Sequence, residues 1–218
     1  MPALDDAYLY DYAAGAGPAA VRLLTECQSV LNAQAHTCVQ SAEAGYGGML
    51  AGLPPAAMPA DALQAVMLRA GEAQDEALDG IDPVTGLPRP LSPYLERTAS
   101  GELDWSRRIG GSQEILLEAV SEENAEASLV RLMPGGGIPH HDHGGEELTL
   151  VLSGAFHDGH ALYGPGDVCV AVPGKRHRPV VKGGTPCICL TVNMGQWKPL
   201  NPLYAVVEWL TRPRRRQH

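Results

Sequence analysis

From Leu4 to about Ala77 apolar residues recur at helical spacing in a stretch rich in Ala, Leu, Met, Gln and Glu, the good helix formers. Val21, Leu23, Leu24, Cys27, Val30 and Leu31 make one stripe; Met58, Leu63, Val66, Met67 and Ala70 make another. Pro18 is placed to open a helix, and Pro54, Pro55 and Pro59 to separate the later ones, so three or four short helices are predicted. Between Gly80 and Pro93 the text GIDPVTGLPRPLSP has little period and reads as a linker with turns. Beyond it, short runs of Val, Ile, Thr and Leu bounded by Gly, Pro and Asp cover 114–120, 127–133, 147–153, 167–172 and 186–192. Such runs at such spacing predict an antiparallel sandwich or barrel. A last helix is predicted from Asn201, a capping residue, and Pro202, with Leu203, Val206, Val207 and Leu210 on one stripe. The fold class is therefore α+β and mainly β. Residues 1–85 form a small helical domain, 86–104 a linker, 105–195 a β barrel, and 196–218 a C-terminal helix with a basic tail.

Composition narrows the function. Hydrophobic residues make up 44% of the 218, enough for a core, but aromatics only 5%, with a single Phe. Such a core is built from Ala, Leu and Val, and recognition of nucleic acid by stacking is disfavoured. The net charge of −9 is concentrated: residues 1–85 carry eleven acids against Arg22 and Arg69, and the rest of the chain balances. An anionic first third repels nucleic acid directly and suits a basic protein partner. The Arg212–Arg216 cluster reads as a solvated tail favourable to the end of the last helix. No apolar run approaches the roughly 20 residues needed to cross a bilayer, and the start MPALDDAYLY is acidic where a secretion signal is basic and then apolar. A cytoplasmic protein is expected, with no membrane partner. Its five cysteines, Cys27, Cys38, Cys169, Cys187 and Cys189, are expected to be reduced.

The stretch PGGGIPHHDHGGEELTLVLSG carries the chemistry. In a strand, His141 and His143 point to one face and chelate one ion, and Glu147 follows the Gly144-Gly145 turn at the right distance to close a third position. His177 in VPGKRH, after the turn YGPGDV, supplies a fourth ligand. Three imidazoles and a carboxylate make a borderline site for one divalent ion, zinc first, with iron, nickel or manganese as alternatives. H-x-H-x3-E with flanking glycines, followed by G-D-x5-P-G-x-x-H, is the two-part cupin signature, and both segments must match in order. His140 points to the opposite face, and His157 and His160 fall in a hairpin loop. Arg131, Tyr163 and Arg178 are either pocket residues or ordinary surface. Cys187 and Cys189 share a strand face and read as small buried hydrophobes, with redox sensing as an alternative. The same alternation turns Thr149 and Val151 inward with Glu147, leaving Leu148, Leu150 and Leu152 outward. That outer face needs cover: the helical segment, the C-terminal helix, or a second copy of the chain in a homodimer.

LVRLMPGGGIPHHDHGGEELTLVLSGAFHD, followed by YGPGDV, PGKRH and PCICLTVN, resembles the cupin of the ChrR-type anti-sigma factors, in which a helical zinc-binding domain precedes a metal-binding cupin. The resemblance runs from LDWSRRIGG to the last strand, and places the family's cupin ligands on His141, His143, Glu147 and His177. Upstream, YLYDYAAGAG and Gly47-Gly48 match in outline. The family's N-terminal zinc motif, H-x-x-x-C-x-x-C, falls instead on Gln28, Asn32 and Ala35, none of which replaces a thiolate. Cys27, His36 and Cys38 lie nearby for a shifted site, without the usual C-x-x-C.

The resemblance implies a transcriptional regulator and stress sensor whose residues 1–85 hold an extracytoplasmic-function-type (ECF-type) sigma factor. The alternative is a metal-dependent cupin enzyme of dioxygenase type, for which open positions on the ion would serve substrate and oxygen. No residue beside the ligands is nominated as a general base or substrate anchor, so catalytic residues are unassigned.

Overall fold

The computed structural model describes residues 4–72, 80–107, 112–195 and 197–199; the helix expected at 201–210 and the basic tail lie outside them. Four helices come first: α1 (Asp6–Ala13), α2 (Ala19–Leu31), α3 (Ala33–Ala51) and α4 (Ala62–Glu72). Pro18 precedes α2, and the proline-rich stretch after Gly52 separates α3 from α4, as their missing N–H groups require. Asn32 forms the elbow between α2 and α3, its side chain accepting from the backbone N–H groups of Gln34 and Ala35 at the start of α3. The stretch at 80–105 is packed rather than free. Leu87 and Leu91 are buried, and a short 3-10 turn, Arg89–Tyr94, lies against α2.

The barrel strands are β1 (Ser106–Arg107), β2 (Gln113–Leu116), β3 (Glu126–Leu132), β4 (His141–His143), β5 (Glu146–Ser153), β6 (Phe156–His157), β7 (Leu162–Tyr163), β8 (Val168–Ala171), β9 (Val180–Val181), β10 (Cys187–Met194) and β11 (Trp197–Pro199). Six form one antiparallel sheet in the order β1-β2-β3-β10-β5-β8, with Glu147 opposite Asn193 on one side and Ala171 on the other. Facing it are the β7-β6-β9 sheet and the β11-β4 pair, which the bridges Gly137 to Val180 and His141 to His177 knit together. The run expected as a strand over 114–120 stops at Leu116. There Leu117 and Val120 turn inward through a 3-10 turn, Glu118–Val120, and are buried.

Two apolar cores result. Val130, Leu132, Val151, Phe156, Tyr163, Cys169, Val181, Cys187 and Cys189 fill the barrel. Leu148, Leu150 and Leu152 belong to the other core, outside the sheet, with Leu129, Leu190 and Val192 and with Leu9, Val21, Leu23, Leu24 and Cys27 from the helices. Of the covers the alternation of β5 demands, the helical segment is observed among the described residues. Burying leucines of this kind is worth roughly 1.5–3 kcal/mol each, so helices and barrel share one stabilising interface. Among the described residues no helix is long and apolar enough to cross a membrane.

Candidate metal centre

His141 and His143 sit at the two ends of β4 with Asp142 between them, and the alternation of the strand turns both imidazoles to the barrel interior. The Asp142 carboxylate accepts from the backbone N–H groups of His143 and Gly174, both at 2.8 Å, so β4 holds the loop that carries His177. Gly145 passes against the backbone of Met194, where a Cβ would lie 1.4 Å from the carbonyl oxygen, so only glycine fits before β5. Glu147 then enters the interior from β5 beside Thr149, whose hydroxyl donates to its carboxylate at 2.9 Å.

The four side chains expected from the sequence converge. His177 Nε2 lies 2.9 Å from His141 Nε2 and 3.1 Å from His143 Nε2, and a Glu147 carboxylate oxygen lies 3.6 Å from His143 Nδ1. All four residues are buried, and their ligand atoms fall within 4.8 Å of one another. His141 Nδ1 is 2.8 Å from the carbonyl of Pro139, which can only accept. The proton therefore sits on Nδ1 and the Nε2 lone pair faces the centre.

Burial pushes His141 down to about 3, against the bond to Pro139, and His177 down to about 4, with His143 adding to the effect. His143 is lowered for the same reason. Burial raises Glu147 to about 7, its bond from Thr149 opposing the shift. Neutral rings aim lone pairs at one point beside a carboxylate that has no lysine or arginine partner among the described residues. Nitrogens bound to one ion at about 2.1 Å lie roughly 3 Å or a little more apart, and the two separations at His177, 2.9 and 3.1 Å, are of that order. The donor set fits one divalent cation.

Other candidates separate. His140 and His160 are exposed; His157 is half-buried and its ring accepts from the N–H of Gly159. Arg178 is exposed, and Arg131 lies outside the barrel, 4.4 Å above the Trp105 ring. Tyr163 is interior, stacked on Phe156. Cys187 and Cys189 are buried with their sulfurs 3.6 Å apart, and all five cysteines are free. Cys27, His36 and Cys38 do not form a metal-capable group among the described residues.

One residue has no sequence motif to announce it. Asp158, buried in the β6–β7 hairpin, accepts from the N–H groups of His160 and Ala161 and from the Tyr163 hydroxyl. It forms a second group with Cys169 and His177, its ligand atoms again within 4.8 Å. Its charge lies close enough to act on the His177 ring, favouring positive charge there.

Fold and cluster together define a cupin with a His3Glu metal-binding group, joined to an N-terminal set of helices. The family model for the ChrR cupin-like domain matches residues 96–197. The anti-sigma-E factor ChrR of Cereibacter sphaeroides is 30% identical over 187 residues, covering 86% of this chain and 86% of that protein. A chain in the crystal structure of Rhodobacter sphaeroides SigE in complex with the anti-sigma ChrR superposes with a TM-score of 0.72 at 30% identity. That match covers 88% of this chain and 98% of that one, so it includes helices as well as barrel. The chain belongs to the ChrR family of anti-sigma factors.

Proposed function

We propose that this chain restrains an ECF-type sigma factor with its helical segment, residues 1–85, and that its barrel, residues 105–195, binds one divalent metal ion through His141, His143, Glu147 and His177. The supporting observation is the apolar surface that the later helices leave bare. Beyond Ala42 every residue of α3 is exposed, and Met49, Met58 and Leu63 stand 72%, 73% and 74% open to solvent, with Leu50, Leu53, Val66, Met67 and Leu68 beside them in sequence. A protein does not leave so many large apolar side chains in water without a partner to cover them. Methionines suit such a surface because they repack against another chain at small cost. A structural relative, the anti-sigma ChrR, is found in complex with SigE, which supports a sigma factor as the class of partner. The acidic balance of residues 1–85 favours a basic partner surface.

A bound divalent ion would set positive charge beside Glu147 and would hold the three rings in register. The chain's own residues do the rest. Pro139 and Asp142 orient β4 and the His177 loop, Thr149 fixes the Glu147 carboxylate, and the adjacent Glu146 is bonded to Tyr8 on α1. Glu146 thus ties the strand that carries Glu147 to α1, which in turn packs on α3. A tagged full-length chain, captured from its native cell and analysed by mass spectrometry, is expected to carry a sigma factor in equal amount. Capture that repeatedly recovers none would overturn the reading.

A further inference from the structure

The zinc motif of the family's helical domain falls on Gln28, Asn32 and Ala35, and the structure gives these residues other work. Ala35 is buried in the outer core, its methyl offering no donor. Gln28 and Asn32 are buried, and each donates its side-chain amide to the same acceptor, the carbonyl oxygen of Gly166, at 3.3 Å. Asn32 also accepts from Gln34 and Ala35, so its oxygen is committed to the start of α3. A carboxamide with its oxygen capping one helix and its nitrogen bonded to another segment has nothing left to give an ion. The neighbouring Cys27 thiol lies in the apolar core, and burial raises its proton affinity, the reverse of what a thiolate ligand needs. The group the family motif implies does not fit this elbow.

What fits is the barrel. Gly166 belongs to the turn YGPGDV that leads into β8, and it has a left-handed backbone, φ +85°. A Cβ there would come within 3.0 Å of the Leu31 carbonyl oxygen, so the turn seats directly on the end of α2. We propose that the α2–α3 elbow of this chain carries no metal ion and is fastened to the cupin by Gln28 and Asn32 donating to Gly166, so that the barrel holds the helices in shape. The fastening is unequal. The Gln28 oxygen finds no hydrogen-bond partner among the described residues, whereas both ends of the Asn32 amide are used. Asn32 is therefore the principal clasp.

The test needs no sigma factor, so its outcome is independent of the partner reading. Metal content and hydrogen exchange are measured on the full-length chain, on Asn32→Ser, and on a His141→Ala, His143→Ala double variant. Serine keeps a capping oxygen for α3 but is too short to reach Gly166. The expected result is one equivalent of metal in the parent, none in the double variant, and one in Asn32→Ser. Amide exchange in Asn32→Ser is expected to quicken about tenfold in the turn at 164–167 and at the end of α2, while the first turn of α3 stays protected. A second equivalent of metal that survives in the double variant and is lost on Cys27→Ser or Cys38→Ser would overturn the proposal. So would an unchanged exchange rate at 164–167. Should Asn32→Ser fail to fold, Gln28→Ala read by the same exchange experiment tests the weaker half of the clasp, with about threefold quickening at 164–167 expected and an unchanged rate counting against it.

Discussion

Tyr8 on α1 donates its hydroxyl to the carboxylate of Glu146 on β5, the residue beside Glu147 in the metal-binding cluster. Hydrogen bonds to charged groups contribute about 1.5–3 kcal/mol when shielded, and this one is partly buried. Tyr8→Phe should cost about 1.5 kcal/mol, seen as a lower urea midpoint with an unchanged slope. An unmoved midpoint would show that the contact does not join the two halves energetically.

The ion-binding residues set the pH response of the chelator-treated protein. His141 and His177 titrate near 3 and 4 when folded, against 6.5 when unfolded, because burial disfavours the charged ring. Their contribution to stability is complete above 6.5 and is lost as the pH falls through those folded values. Glu147 has the opposite sign. Raised to about 7 from 4.5, it contributes fully below 4.5 and loses that contribution as the pH rises through 7. Glu147→Gln should therefore gain stability over the parent progressively between 4.5 and 7 and match it below 4.5. Thermal unfolding across that range checks this, and a constant difference at every pH would refute it.

Asp158 lies near His177, held by two backbone N–H groups and by Tyr163. Removing its charge while keeping its shape, Asp158→Asn, should weaken metal retention severalfold, because the attraction of a nearby carboxylate for the cation is lost. Competition against a chromophoric chelator reads this directly. Far-ultraviolet circular dichroism should be unchanged, which separates an electrostatic role from simple misfolding.

Leu63 and Met67 are exposed on α4. Charging both, Leu63→Glu with Met67→Glu, should leave the melting temperature within the error expected of surface substitutions and reduce capture of the sigma factor by about thirtyfold or more. Undiminished capture would place the partner elsewhere on the molecule.

Much of the site was legible in the chain because its ligands lie on two motifs whose spacing is dictated by strand alternation. His141, His143 and Glu147 follow from one segment, and His177 from another that must come after a turn. The outward leucines of β5 were legible for the same reason, and with them the need for cover. Asp158 was not. Its hairpin strands are two residues each, too short to show a period, and its approach to His177 depends on how sheets fold over one another. The clasp at Gly166 was equally hidden, since nothing in the sequence around Gln28 and Asn32 points to their acceptor, which lies more than 130 residues along the chain.

β5 presents Glu147 and Thr149 to one side and Leu148, Leu150 and Leu152 to the other. This strand has no idle surface, so the two halves of the molecule are not interchangeable parts. A chimaera that grafted these helices onto a foreign cupin would leave three leucines' worth of seating behind, and a barrel transplanted alone would display a greasy wall in their place.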